Sequence, residues 1–456
     1  MRRTSNWVPS IPNGPGRLHE RLTESIANAI VTGELAAGTP LPAHRTLAGE
    51  LDVSVGTVTR AYDLLQRRGL ARSERGRGMF VANTAPTRTA RIDLSVNLPP
   101  SILTTTMLSN LMSRVAGAVE ADQFNSYAPP AGRPEHRAML ARAISEGRDF
   151  AVDPANLIIT NGAQHGIFIA LATLLEGPLA IEELSYPGAL RAARTMARHL
   201  VPVEMDDEGV TPEALRRALS QSPAPRALYV MPSLQNPTGA TMSAARREEL
   251  VAIAREHDIV LIEDDVYSVF TPPELPTLVQ LAPERVLHIG SLSKSLAPGL
   301  RVGYLVVPVD RVEACMAWMQ ATQSMANPVS ALLMAQALAE GLTKSVAQSV
   351  RVEAKRRTEI ARSLLGRHMA PQDHAGLHVW LPMPTAKARD VVLAAARLNI
   401  TLAPPEAFMA DLDSTMAGLR LCLGTLPERD LRQALEIIAN LLAAEADIAL
   451  ALQPVA

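Results

Sequence analysis

The stretch Val286-Leu287-His288-Ile289-Gly290-Ser291-Leu292-Ser293-Lys294-Ser295-Leu296-Ala297-Pro298-Gly299-Leu300-Arg301 decides the reading of this chain. It begins as an apolar run of strand type and passes into hydroxyl residues around a lysine, with an arginine seven positions on. A lysine held among hydroxyls suits an amine that forms Schiff bases beside a phosphate, with Ser291, Ser293 and Arg301 as donors to that dianion. The chain has only four lysines. Lys344, Lys355 and Lys387 lie in polar helical or loop contexts and read as surface residues; Lys294 does not.

Other apolar runs also end in polar turns. Leu157-Ile158-Ile159-Thr160 leads into Asn161-Gly162-Ala163-Gln164, a strand-to-helix turn whose N–H groups suit a phosphate. Ala227-Leu228-Tyr229-Val230 precedes Asn236-Pro237-Thr238-Gly239, and Val260-Leu261-Ile262 precedes Glu263-Asp264-Asp265-Val266-Tyr267. A carboxylate at such a strand end keeps a pyridine nitrogen protonated, and Tyr267 suits the ring's phenolic oxygen. Helical patterns such as Ala244 to Glu256 separate the runs, so this part is expected to be α/β with a mostly parallel sheet. Ligand groups gather at carboxyl ends of strands in such sheets.

The first 92 residues read differently. They hold thirteen arginines and no lysine against seven acids, a balance of +6, which leaves −8 on the remaining 364 residues of a chain with net charge −2. A basic end on an acidic body points to a polyanion partner for that end. Leu18, Leu22, Ile26, Ala29 and Ile30 mark one helix face, with Gly33 as its stop. Leu47 and Leu51 mark a second helix. Ser54 suits the N-cap of a third, with Val58, Ala61, Tyr62 and Leu65 inward and Gly56, Thr57, Thr59 and Arg60 outward. Arg72 to Val81 reads as two short strands around a basic Gly-rich turn. Three helices and a hairpin make a winged helix-turn-helix, whose third helix enters the major groove.

Composition bounds the rest. At 456 residues, 47% apolar and 20% charged, the chain is expected to form two or three domains. Two cysteines, Cys315 and Cys422, make no disulfide framework or CxxC zinc site, which fits a reducing compartment. The ten histidines show no HExxH motif, so no metal is expected. Met1 to Gly14 lacks the apolar run of a signal peptide, and no stretch approaches the ~18 apolar residues of a membrane span. A cytoplasmic protein without a membrane partner is expected.

Residues 15–82 resemble the GntR-type winged helix, on Gly33-x-Leu35-x-x-Gly38-x-x-Leu41-Pro42, Arg45, Leu47, Ala48, Thr57-Val58, Leu64, Gly69-Leu70 and Gly76-x-Gly78-x-Phe80-Val81. The resemblance implies DNA contacts at Arg45, Ser54, Gly56, Thr57, Thr59, Arg75 and Gly76, with Arg60 beside them; Val55 stands where many relatives have Arg. Residues 93–456 resemble fold-type I pyridoxal-phosphate enzymes of the aspartate aminotransferase superfamily. That resemblance implies that Lys294 forms the internal aldimine, Asp264 pairs with the pyridine nitrogen, and Tyr267 and Asn236 bind O3′. It gives the phosphate to Gly162, Ala163, Gln164, Ser291, Ser293 and Arg301, and ring stacking to Tyr186. Tyr127 would reach the phosphate of a partner subunit, and Arg420 would clamp a substrate carboxylate. Ala163 replaces a hydroxyl residue common there, and Pro404-Pro405-Glu406-Ala407-Phe408 departs from a usual Pro-Gly.

A GntR head on an aminotransferase-like body resembles the MocR-type regulators. The organisation implied is a winged helix-turn-helix (α+β) over 1–81, a linker over 82–91, and an α/β aminotransferase-like domain over 92–456. Within the last, a large subdomain spans about 135–315 and a smaller α+β subdomain lies toward the C-terminus. The function implied is a pyridoxal 5′-phosphate-dependent homodimeric transcriptional regulator that binds double-stranded operator DNA. It would sense an amine or amino acid, or pyridoxal phosphate itself, through aldimine chemistry at Lys294. The alternative is an active aminotransferase carrying a DNA-binding head, with Lys294, Tyr267 and Asp264 as catalytic residues.

Overall fold

The computed structural model describes residues 7–11, 17–31, 34–36, 38–67, 70–74, 78–82, 92–146, 150–174 and 176–451. Gly33, Gly69, Arg75, Gly76 and nearly all of the 82–91 linker lie outside these. The chain divides into two compact units, Met1–Arg91 and Ile92–Ala456.

In the first unit, helices Leu18–Val31, His44–Glu50 and Val55–Arg67 pack around a core of Leu22, Ile26, Leu47, Val58, Ala61, Tyr62 and Leu65. Seven-residue spacing on the third helix puts its apolar side chains on one face, and all four are fully buried. Ser54 begins that helix by accepting the Thr57 N–H at 3.1 Å, satisfying an otherwise orphaned donor. The Tyr62 hydroxyl donates to the Pro42 carbonyl at 2.9 Å, tying the helix to the Thr39–Pro42 turn. Strands Ala71–Glu74 and Gly78–Val81 pair antiparallel as the wing, and Pro40 bridges to Phe80 beside them.

The second unit is built on a seven-stranded sheet in the order Leu157–Thr160, Gly303–Val306, Val286–Ser291, Val260–Asp264, Ala227–Val230, Leu179–Glu182, Leu200–Val203. Gly303–Val306 runs antiparallel to both neighbours, and every other pair is parallel. Leu157–Thr160, Leu179–Glu182, Ala227–Val230 and Val260–Asp264 are buried along their whole length, as strands covered on both faces by helices must be. Two of the strands run further than their apolar runs, to Asp264 and Ser291, because the ladder continues into the polar residues that face the site. The core of this layer also takes in Leu111, Met334, Val346 and Val350, so it recruits more chain than the span 135–315.

A second core in this unit gathers Leu94, Ile360, Val379, Leu381, Val391, Leu419, Leu421 and Leu435. Its strands His378–Pro384 and Met416–Cys422 pair antiparallel, with helices Leu342–Leu365, Thr385–Arg397 and Glu428–Ala451 around them. Ile92–Asp93 joins it in parallel with Ile400–Thr401. Among the described residues no helix is long and apolar enough to cross a membrane.

Candidate functional site

The carboxyl ends of five sheet strands and the middle of Met416–Cys422 converge on one cleft of about 800 Å³. Of the residues expected at a cofactor, all line it except Gly162 and Tyr127, and Arg420 lines it too.

Asp264 ends its strand 1% exposed, with Oδ2 accepting from the Tyr229 hydroxyl at 2.6 Å. Its Oδ1 is buried without a partner. Burial pushes the carboxyl up to about 6, while the Tyr229 hydroxyl draws it back down. An acceptor in this condition calls for an N–H, and a protonated ring nitrogen fits it.

Lys294 follows the Val286–Ser291 strand. Its Nζ donates to the Asn97 carbonyl and lies 5.7 Å from the centre of the Tyr267 ring. Burial pulls its amine down to about 8. The neutral amine, the nucleophilic form, is therefore about a tenth of the population at pH 7, far more than for an ordinary lysine.

An anion cradle stands beside the lysine. Gly162, at φ 85°, caps helix Ala163–Thr173, which opens with no side-chain cap. A Cβ on Gly162 would sit 2.5 Å from Arg301 Nη2, so glycine is what admits the guanidinium. Among the described residues, Arg301 makes only long hydrogen bonds, 3.4 Å to the Asn161 carbonyl and 3.5 Å to that of Pro298. The Ser291 and Ser293 hydroxyls lie 2.8 Å apart. Helix terminus, guanidinium and hydroxyls together suit a phosphate.

Tyr186 starts helix Pro187–Thr195 at the cleft wall. Gln164 Nε2 donates to the Gly188 carbonyl at 2.9 Å, and any Cβ at Gly188 would overlap Gln164 and the Tyr186 ring. At the opposite end Arg420 is 5% exposed, with its guanidinium carbon 4.8 Å from the centre of the Phe408 ring. Its Nη1 donates to Asn236 Oδ1 at 2.8 Å, its Nη2 donates to the Ser95 carbonyl, and its Nε is unpartnered.

Residues 89–438 match the aminotransferase class I and II family, and residues 18–81 match the bacterial regulatory proteins of the gntR family. The chain is 30% identical to the pyridoxine biosynthesis transcriptional regulator PdxR of Corynebacterium glutamicum, over 86% of this chain and 89% of that protein. The chain belongs to the MocR-type regulators. It is also 27% identical to the probable rhizopine catabolism regulatory protein MocR of Rhizobium meliloti, over 83% of this chain and 84% of that one. Among solved structures it resembles LysN, the α-aminoadipate aminotransferase of Thermus thermophilus, at 25% identity. The TM-score is 0.70, covering 80% of this chain and 96% of that one. The fold is thus a GntR winged helix followed by a fold-type I aminotransferase-like domain.

Two expected residues stand apart in this MocR-type chain. Gly162 lies behind Arg301, and Tyr127 is 83% exposed. On the winged helix, Arg45, Ser54, Gly56, Thr59 and Arg60 are exposed and Thr57 is half-buried. The Ser54 and Thr57 hydroxyls are 2.9 Å apart, and Thr59 donates its proton to the Val55 carbonyl. Arg75 and Gly76 lie outside the described residues.

Sequence reading missed a supporting layer. Asn97 Nδ2 donates to the Tyr267 hydroxyl at 2.9 Å and lies 2.9 Å from His378 Nδ1. His378 Nε2 faces the Gln235 carbonyl at 3.1 Å. A carbonyl only accepts, so Nε2 carries the proton and Nδ1 accepts from Asn97. Burial, helped by Arg420, drives His378 down to about 3, which keeps it neutral. Tyr229 carried a usable signal, since a hydroxyl in a fully buried strand needs a partner. Asn97 and His378 carried none. Glu263, Asp265 and His288 also cluster, with ligand atoms within 4.8 Å. Glu263 there already accepts from the Leu278 and Val279 N–H groups and pairs with His288.

Proposed function

We propose that this chain is a DNA-binding transcriptional regulator that holds pyridoxal 5′-phosphate and senses an amine or amino acid, or pyridoxal phosphate itself, at Lys294. One observation carries the reading: a single cleft holds the unpartnered Asp264 Oδ1, the Lys294 amine lowered by burial to about 8 and the Arg301 guanidinium, with Gly162 behind it. When bound, the cofactor supplies an aldehyde that exchanges between amines and a ring that withdraws electrons.

Lys294 is the attachment point, and Asp264 Oδ1 the acceptor for the ring N–H. The Tyr267 hydroxyl accepts from Asn97, which leaves its own proton for the ring's phenolic oxygen beside Asn236. Tyr186 covers the ring, while Ala163, Gln164, Ser291, Ser293 and Arg301 hold the phosphate. Arg420 grips a ligand carboxylate through its planar fork, which a lysine would not match. Tyr127, exposed on its own chain, serves the phosphate of a second copy in a homodimer. The third helix of the head, with Thr57, reads duplex DNA in the cytoplasm beside Arg45 of the second helix, and Arg75 and Gly76 meet the DNA backbone.

A second reading, full transamination, is favoured by one observation. An amine held at about 8 takes up and returns protons readily near neutral pH. The test of both is the absorption spectrum of the loaded protein, titrated with a panel of amino acids and simple amines. A visible band that Lys294→Ala abolishes, and that one amine converts to a lasting new band, is expected. A protein that stays colourless after reconstitution overturns the cofactor reading. A band lost with an amino acid and restored by a keto acid establishes the transaminase reading instead.

A further inference from the structure

The segment Ile92–Leu98 is the first part of the aminotransferase-like unit, continuous in sequence with the linker to the winged helix. Its beginning is fastened to the smaller core. Ile92 N–H donates to Asn399, Leu94 N–H donates to Thr401, Cys422 N–H donates to Leu94, and Leu94 itself is fully buried. Asp93 Oδ1 accepts from both the Ser95 N–H at 2.8 Å and the Ser95 hydroxyl at 2.6 Å, setting the bend that follows.

From that bend the segment crosses the cleft. The Ser95 carbonyl accepts from Arg420 and the Asn97 carbonyl from Lys294, while the Asn97 side chain joins Tyr267 of one core to His378 of the other. Leu98 then passes so close to Gly424 that a Cβ there would lie 1.8 Å from the Leu98 carbonyl oxygen. Val96, between the two carbonyl contacts, lines the cleft and is 49% exposed. The strap therefore closes on the same guanidinium that would bind a ligand's carboxylate.

We propose that Ser95–Leu98 is the element through which occupancy of the Arg420 end of the cleft is passed to the winged helix. A ligand carboxylate exchanges with the Ser95 carbonyl and Asn236 for the Arg420 donors, and the released strap moves the chain that leads into the linker. This rests on the effector reading above and narrows it: the ligand class is an amine that also bears a carboxylate. An amine without one reaches Lys294 and leaves the strap on Arg420. Such a ligand biases the equilibrium only because it competes in one state and not in the other.

The test needs no identified ligand, because Arg420→Gln removes the fork that holds Ser95 and mimics its release. Amide hydrogen exchange over 92–98 is measured on the full chain, with and without pyridoxal phosphate, alongside the affinity for a labelled mixed-sequence duplex. Exchange of Val96, Asn97 and Leu98 is expected to rise about tenfold or more, and the duplex Kd to shift by about threefold or more. Asp93→Ala, which loosens the bend without entering the cleft, should reproduce both effects and so covers any misfolding of Arg420→Gln. Unchanged exchange at 96–98 in both variants overturns the strap. Faster exchange with an unaltered duplex Kd overturns its role as the route to the head. Absence of a visible band in the wild type concerns the cofactor reading alone, since neither readout depends on it.

Discussion

Among the described residues, at the ring end of the cleft, Asp264 keeps one oxygen on Tyr229 and leaves the other without a partner, while Arg301 makes only long hydrogen bonds. At the carboxylate end, Arg420 gives Nη1 to Asn236 and Nη2 to the Ser95 backbone. The first end is organised in advance around groups that the chain itself does not satisfy. The second is satisfied by the chain until something displaces it. Binding at the first gains hydrogen bonds outright, whereas binding at the second exchanges them, and exchange is what a sensor requires.

The largest effect that tests this contrast is a pH dependence. Only the neutral amine of Lys294 attacks an aldehyde. With its titration lowered by burial to about 8, the rate of loading should rise about tenfold per unit below pH 8 and level off above it. Between pH 6 and 8 that is about 50-fold, readable by stopped-flow absorbance. An amine at the ordinary lysine value would keep the rate climbing well beyond pH 8.

Asp264→Asn comes next. It removes a charge-assisted bond worth about 1.5–3 kcal/mol and should weaken pyridoxal phosphate about 10- to 100-fold by equilibrium dialysis. Arg420→Lys should leave that affinity alone and raise the amino-acid concentration for half-conversion of the visible band about tenfold, because an ammonium cannot fork onto a carboxylate. If the two substitutions affect cofactor and amino acid alike, the two ends are not distinct.

Tyr229→Phe sharpens the ring end with the smallest effect, a roughly threefold to tenfold loss of cofactor affinity. Without the hydroxyl, Asp264 moves further up from about 6, so the acid limb of cofactor binding should shift to higher pH. A change in affinity without that shift would mean that Tyr229 only fills space.

What the sequence disclosed follows from how local each feature is. Lys294, Asp264, Asn236 and Gly162 sit at strand ends within a few residues of the apolar runs that announce them, and the fold's preference for those ends brings them together. Ser54 was legible because an N-cap is decided within three residues. Asn97 was not, because its partners Tyr267 and His378 lie 170 and 281 positions away. The dual use of Arg420 was hidden for the same reason: its contact with Ser95 spans 325 positions and involves a backbone carbonyl, which leaves no mark on residue identity. The reversed strand Gly303–Val306 was equally silent, since strand direction depends on the return path of the chain and not on the four residues themselves.

The central claim is that Lys294 is the residue that takes pyridoxal phosphate, and the chain's four lysines make it directly testable. The protein is incubated with pyridoxal phosphate, reduced with borohydride, digested and mapped by mass spectrometry. The account predicts one phosphopyridoxyl mass per chain, on the peptide containing Lys294. The same mass on Lys344, Lys355 or Lys387, or on no lysine at all, would contradict it.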